Sequence, residues 1–247
     1  PEVALPALEA VAASRHDLVA VVTRPDARQG RSKRLVPSPV ATWAETHGIG
    51  TLKPASPREP EFAARLRELA PDCCPVVAYG ALIPEDVLAV PIHGWVNVHF
   101  SLLPAWRGAA PVERALLAGD TETGTCLMAV EEGLDTGGVY DEVRLPIGPR
   151  ATADELRRDL VELGTEQLVR CLAGPLPTPV RARRVGWISC PAPTPRLSAS
   201  VRRASSSASW PKTSRASSRA TQASISSGEA AFQRFLTVAG SYSAGSA

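Results

Sequence analysis

No stretch of these 247 residues approaches the roughly 18 consecutive apolar residues that cross a bilayer, which argues against a membrane protein. No basic segment followed by an apolar run and a cleavage site opens the chain, so a secretory leader is not expected. The five cysteines are odd in number, with no C-x-x-C spacing and no histidine pair beside them. That speaks against a structural zinc site and against a secreted disulfide scaffold. The expectation is free thiols in a reducing, cytosolic setting, with Cys73 and Cys74 buried in an apolar run. Acidic residues nearly vanish beyond residue 180. Residues 181–247 carry ten Lys and Arg against the single acid Glu229, net +9, and sixteen serines. Residues 1–180 carry 17 Lys and Arg against 24 Asp and Glu, net −7, and five serines. The overall net charge of +2 therefore averages two unlike kinds of sequence joined near Pro179.

What is present suits a globular domain: 44% of the residues are hydrophobic and 21% charged. Residues 1–14 read as a helix. Residues 18–22 and 75–78 are short continuous apolar runs, as expected of strands buried on both faces. Residues 24–35 read as a polar loop carrying five cations. Ser38 is placed to cap a helix with Pro39 at its first position, and Gly48 to stop it. Further helices are expected at 61–69, 110–118 and 153–172, and strands at 95–100, 125–130 and 139–145. The alternation predicts an α/β domain with a mostly parallel sheet flanked by helices. Ligands in such sheets sit beyond the carboxyl ends of the strands, which directs attention to the loops after Val22, Ala78 and Phe100. After Gly174 the periodicity ends. Residues 176–247, rich in Ser, Arg, Ala and Pro, read as a low-complexity tail that buries no core.

The chemically richest stretch is Gly94-Trp95-Val96-Asn97-Val98-His99-Phe100-Ser101-Leu102-Leu103-Pro104. Residues two apart on a strand point the same way, so Asn97 and His99 share a face. An amide donor beside an imidazole suits attack on a carbonyl: Asn can hold a developing oxyanion, and His can hold or move a proton. A carboxylate to sustain the imidazole's charge is offered by Asp135, whose flanking glycines let its loop bend inward. Taken alone, such a pair is more often a satisfied polar pair than a catalytic one. Arg24, Arg28, Arg31, Lys33 and Arg34 lie within eleven residues and could neutralise phosphates, or equally form a solvated surface loop. His16 and His47, near helix ends, are expected to be exposed, and His93 to lie in a loop.

Several blocks, in order, resemble the N-terminal catalytic domain of the methionyl-tRNA formyltransferases, from Pro1 to about Pro179. They are Pro1-Glu2, the basic stretch from Thr23 to Val40, Val76-Val77-Ala78-Tyr79-Gly80, the run from Asn97 to Pro111, and Gly133-Leu134-Asp135-Thr136-Gly137. The resemblance implies a Rossmann-like formyltransferase fold over residues 1–175. It implies formyl transfer from 10-formyltetrahydrofolate to the α-amino group of methionine on initiator tRNA, through a tetrahedral intermediate. It places Asn97, His99 and Asp135 as the catalytic triad, Ser101, Leu102, Leu103 and Pro104 against the folate, and Arg31, Lys33 and Arg34 against tRNA. No metal is implied. The partner is initiator methionyl-tRNA, and a cytoplasmic monomer without membrane contact is expected.

Two departures accompany the resemblance. The family's first apolar strand, which lies inside the sheet, has no counterpart before Pro1, so an open central edge is expected. Beyond about residue 180 nothing resembles the family's C-terminal β-barrel, and the tail reads as disordered or as an out-of-frame translation. Two other functions compete. One is a related formyltransferase acting on a small amine, such as glycinamide ribonucleotide or an amino sugar, which should lack the basic loop. The other is an inactive fragment with non-specific RNA binding through the tail.

Overall fold

The computed structural model describes residues 2–29, 34–176, 178–179 and 234–239, all within one compact unit. A 3-10 turn at Glu2–Ala4 leads into helix α1 (Leu5–Ala12). Then come strand β1 (Asp17–Val22), the short strands β2 (Ala27–Gln29) and β3 (Arg34–Val36), and helix α2 (Pro39–Thr46). Strand β4 (Thr51–Leu52), helix α3 (Pro60–Leu69), strand β5 (Cys74–Val77), helix α4 (Glu85–Leu88) and strand β6 (Trp95–His99) follow. Helix α5 (Pro111–Ala118), strands β7 (Glu122–Ala129) and β8 (Val139–Pro146), helix α6 (Ala153–Leu172) and strand β9 (Arg234–Ala239) complete the order.

Seven strands form one sheet in the order β4-β1-β9-β5-β6-β7-β8. The pairs from β4 to β6 are parallel, and β7 and β8 add an antiparallel edge. The mostly parallel α/β sheet expected from the sequence is thus present. One face packs α1, α2 and α6 through Leu8, Val40 and Leu168 onto Val77, Val96 and Val98. The other packs α3 and α4 through Phe62, Leu66 and Val87 onto Val76, Trp95 and Val22. Burial on both faces is why β5 reads as an unbroken apolar run.

Local signals set the helix ends. The Ser38 side chain accepts from the Ala41 N–H at 3.1 Å, with Pro39 opening α2 as expected. Thr152 and Glu155 form a reciprocal capping box at the start of α6, and the hydrogen bonds from Thr152 hold the Glu155 carboxyl below its usual range. α6 is also fixed by polar contacts to the antiparallel strands. Buried Gln167 accepts from the Thr125 hydroxyl at 2.7 Å and donates to Asp141 at 3.0 Å, and Asp141 also takes Arg170 at 2.6 Å.

The structure corrects the sequence reading at several places. The stretch 24–35 is not simply a loop: β2 and β3 pair antiparallel, Ala27 with Val36 and Gln29 with Arg34. β4 and α4 are too short for a periodic signal. The largest correction is β9. Residues 234–239 were expected to lie in a tail without regular structure, yet they form the strand between β1 and β5. The expected open central edge is therefore closed. Phe235 and Ala239 enter one core face and Leu236 and Val238 the other, an alternation that only a strand provides. His16, expected to be exposed, is buried because its ring packs edge-on against Phe235 at 4.2 Å. His47 is exposed and stacks on Trp43. The remainder of the tail, 180–233 and 240–247, lies outside the described residues, as does the expectation of a frameshift within it.

Candidate active site

A cavity of about 540 Å³ opens at the carboxyl ends of β5 and β6. Its apolar wall includes Val76, Tyr79, Ile83, Met128 and Val130. Its polar end is formed by Asn97, His99 and Asp135. The loops after Ala78 and Phe100 contribute to it as expected. The loop after Val22 does so only indirectly, through Arg24, which donates to the Gly80 carbonyl at 3.2 Å. Burial in this wall pushes the Tyr79 hydroxyl up to about 12.

The sheet itself brings Asn97 and His99 together. Val96 and Val98 turn to the helix-covered core face, so the two polar side chains share the opposite face at the strand's end. His99 is 3% exposed. Its Nε2 lies 3.1 Å from the Trp106 carbonyl oxygen, and its Nδ1 lies 3.5 Å from Asp135 Oδ2. A carbonyl can only accept, so Nε2 is the donor there. Nδ1 in turn faces the Asp135 carboxylate. Asn97 is part of the cavity wall, and its amide has no hydrogen-bond partner among the described residues.

Asp135 reaches His99 from the loop between β7 and β8. Its φ is 49°, and its Oδ2 accepts the Gly108 N–H at 2.6 Å. The turn that carries it is tight: a Cβ added at Gly137 would stand 1.9 Å from the Ala129 carbonyl oxygen. Only glycine fits there. Ala78, Trp106, Ala110 and Asp135, all non-glycine residues at positive φ, surround this one region. Such conformations cost energy and persist where the surroundings fix them, often at functional sites.

Of the residues expected from the sequence, Asn97, His99 and Asp135 converge. Ser101, Leu102, Leu103 and Pro104 do not line the cavity. Ser101 is fully buried and its hydroxyl donates to the Ala105 carbonyl at 2.6 Å, while the Leu103 N–H donates to Cys126 Sγ at 3.3 Å. Buried Leu103 packs with Cys126 and with Met128 of the cavity wall. Arg34 is exposed on β3, and Arg31 and Lys33 lie outside the described residues. Among the described residues no group of His, Cys, Asp and Glu could hold a metal ion, and no helix is long and apolar enough to cross a membrane. Cys73, Cys74 and Cys126 are buried free thiols, as expected for the first two; burial pushes Cys73 up to about 12 and Cys126 up to about 11. Trp106 stands in the stretch that resembles the family, but the sequence did not show how it acts: its contribution is a backbone carbonyl turned by a positive φ of 56°. No side-chain pattern signals that.

Comparison with known proteins follows this geometry. Residues 4–172 match the family described as formyl transferase. The methionyl-tRNA formyltransferase of Salinispora tropica is 61% identical over 172 residues, which are 70% of this chain and 56% of that protein. That of Thermobifida fusca is 59% identical over 174 residues, with the same shares. The chain thus spans about half the length of the curated relatives it matches. Among solved structures, the phosphoribosylglycinamide formyltransferase of Bacillus halodurans superposes with a TM-score of 0.57. That match covers 70% of this chain and 90% of the other at 23% identity, a likeness of fold alone.

Proposed function

This chain belongs to the formyl transferase family, and from that premise we propose that it moves a formyl group from 10-formyltetrahydrofolate to the α-amino group of methionyl initiator tRNA. The observation that carries the chemistry is His99, held between the Trp106 carbonyl and Asp135 with Asn97 one pleat away at the cavity's polar end. The apolar wall and volume of the cavity suit a flat ring system leading to that end.

The amine nitrogen adds to the formyl carbon while the carbonyl oxygen takes up negative charge. The Asn97 amide donates to that oxygen, and positive charge on the neighbouring His99 ring, whose two nitrogens face Trp106 and Asp135, stabilises it electrostatically, most once the charge has formed. The Asp135 carboxylate, 3.5 Å from Nδ1, faces that positive charge and orients the ring. It also lies where it can take, through water, the proton that the attacking amine must lose. Collapse of the tetrahedral adduct breaks the bond to the folate nitrogen, which leaves with a proton, and the formylated amine remains.

The choice of acceptor rests on two supports. The relatives at about 60% identity are named for methionyl-tRNA, whereas solved glycinamide ribonucleotide formyltransferases match at 23% and 28% identity. The cations at Arg24, Arg28, Arg31, Lys33 and Arg34 also supply charge for a phosphate backbone. The test compares turnover with methionyl initiator tRNA and with glycinamide ribonucleotide, using the same folate donor. Turnover on the tRNA alone supports the reading, and turnover on the nucleotide alone overturns it. Arg31→Ala should raise the KM for tRNA and leave the KM for the donor unchanged.

A further inference from the structure

His99 is gripped on its Nε2 side by a main-chain oxygen, and a main-chain oxygen is only as well placed as the backbone behind it. Trp106 sits at φ 56°, where L-residues rarely rest, and this turns its carbonyl onto the imidazole. Something must hold that conformation. The Trp106 indole Nε1–H donates to Asp120 Oδ2 at 2.7 Å, across fourteen residues of chain.

Asp120 is itself placed by the end of α5. Gly119 takes the left-handed conformation at φ 75°, the Gly119 N–H donates to the Leu116 carbonyl, and the Asp120 N–H reaches back to the Ala115 carbonyl at 3.0 Å. That closing pattern fixes the residue after the glycine relative to the helix axis. An acid at a helix C-terminus faces unpaired carbonyls and the negative end of the helix dipole, an unfavourable place for a carboxylate. Its indole contact is what the position gains in return.

We propose that Asp120 is a positioning residue for formyl transfer, holding Trp106 so that the Trp106 carbonyl keeps the His99 ring in line with Asp135 and Asn97. The proposal rests on the formyl-transfer reading above. The chain of contacts runs from the α5 terminus through an indole to a backbone oxygen and then to the reacting centre, and each link has its own distance. Asp120 touches no substrate. Its effect belongs on kcat rather than on either KM, because loss of the brace misaligns the imidazole without removing any binding surface. Small misplacements of this kind cost roughly 10- to 100-fold in rate.

The test uses the full chain with Asp120→Leu, Asp120→Asn, Trp106→Phe and the double variant Asp120→Leu/Trp106→Phe. Asp120→Leu and Trp106→Phe should each lower kcat by about 10-fold with both KM values unchanged. Asp120→Asn keeps an acceptor oxygen for the indole and should recover most of that loss. The double variant should be no slower than either single one, because both break the same link. Nitrogen-15 NMR of the histidine rings gives a readout that needs no turnover: the His99 Nε2–H signal, protected from exchange by the Trp106 carbonyl, should broaden away in Asp120→Leu and in Trp106→Phe. Persistence of that signal in both folded variants overturns the brace, whatever the activity. Should the unmodified chain formylate no amine while the signal still depends on Asp120, the formyl-transfer reading fails and the brace stands. If Asp120→Leu does not fold, Trp106→Phe decides alone.

Discussion

At the scale of single residues, the site depends on one imidazole that is buried and contacted on both sides. His99→Ala and Asp135→Ala should abolish formylation while leaving the thermal midpoint within a few degrees of the unmodified chain. Asn97→Ala should reduce kcat by about 100-fold or more, the usual effect of removing an oxyanion donor. Undiminished turnover in any of the three would remove it from the site. Asn97 and His99 were legible from the sequence because strand alternation is a strict geometric rule. Asp135 was a candidate through its flanking glycines, and the resemblance added weight to it, since nothing in its spacing ties residue 135 to residue 99. The resemblance placed Ser101–Pro104 against the folate; the structure shows the Ser101 hydroxyl and the Leu103 N–H engaged in internal hydrogen bonds, a feature no side-chain pattern announces.

The buried thiols give a second residue-scale expectation. Cys73 and Cys126 favour the neutral thiol in the fold, at about 12 and about 11 against an ordinary value of 9.0. Tyr79 does the same at about 12 against 10.0. Each group therefore contributes stability that is whole below its ordinary value and is lost as pH rises toward the folded one. The thermal midpoint should fall steadily between pH 9 and 11. At pH 8, Cys73, Cys74 and Cys126 should stay unreactive to a thiol reagent until denaturant is added.

At the scale of elements, most of the architecture follows from local chemistry. The span of α6 was legible to the residue because Thr152 and Glu155 mark its start and its apolar period ends at Leu172. Thr152→Ala should cost about 1 kcal/mol, read as a shift in the urea midpoint at constant slope. β9 was illegible for the opposite reason. Its six residues lie within a Ser/Arg/Ala-rich stretch, and what makes them a strand is a slot between β1 and β5 that local sequence does not describe. Phe235 fills that slot, fully buried, and holds His16 beside it. Phe235→Ala should cost about 3–5 kcal/mol, and an equilibrium unfolding curve unchanged by it would show the slot to be filled otherwise.

At the scale of the whole molecule, net charge says little about partners. Residues 1–180 carry net negative charge and the cavity, while five of their cations fall between residues 24 and 34 of the sequence. Local charge, not the sum, bears on RNA. Raising salt should weaken tRNA binding steeply and leave donor binding nearly unchanged, a contrast measurable by titration at two ionic strengths.

The central position of β9 also bears on how the chain folds. On the β5 side it meets chain 162 residues earlier, as the contact between Asp72 and Arg234 records, and on the β1 side Asp17 pairs with Arg234, 234 − 17 = 217 residues apart. The seam between β1 and β5 is thus closed by contacts of high sequence separation, and closing it carries the loop-closure entropy of a long intervening chain before any pairing is gained, which slows folding relative to a sheet built from neighbours in sequence.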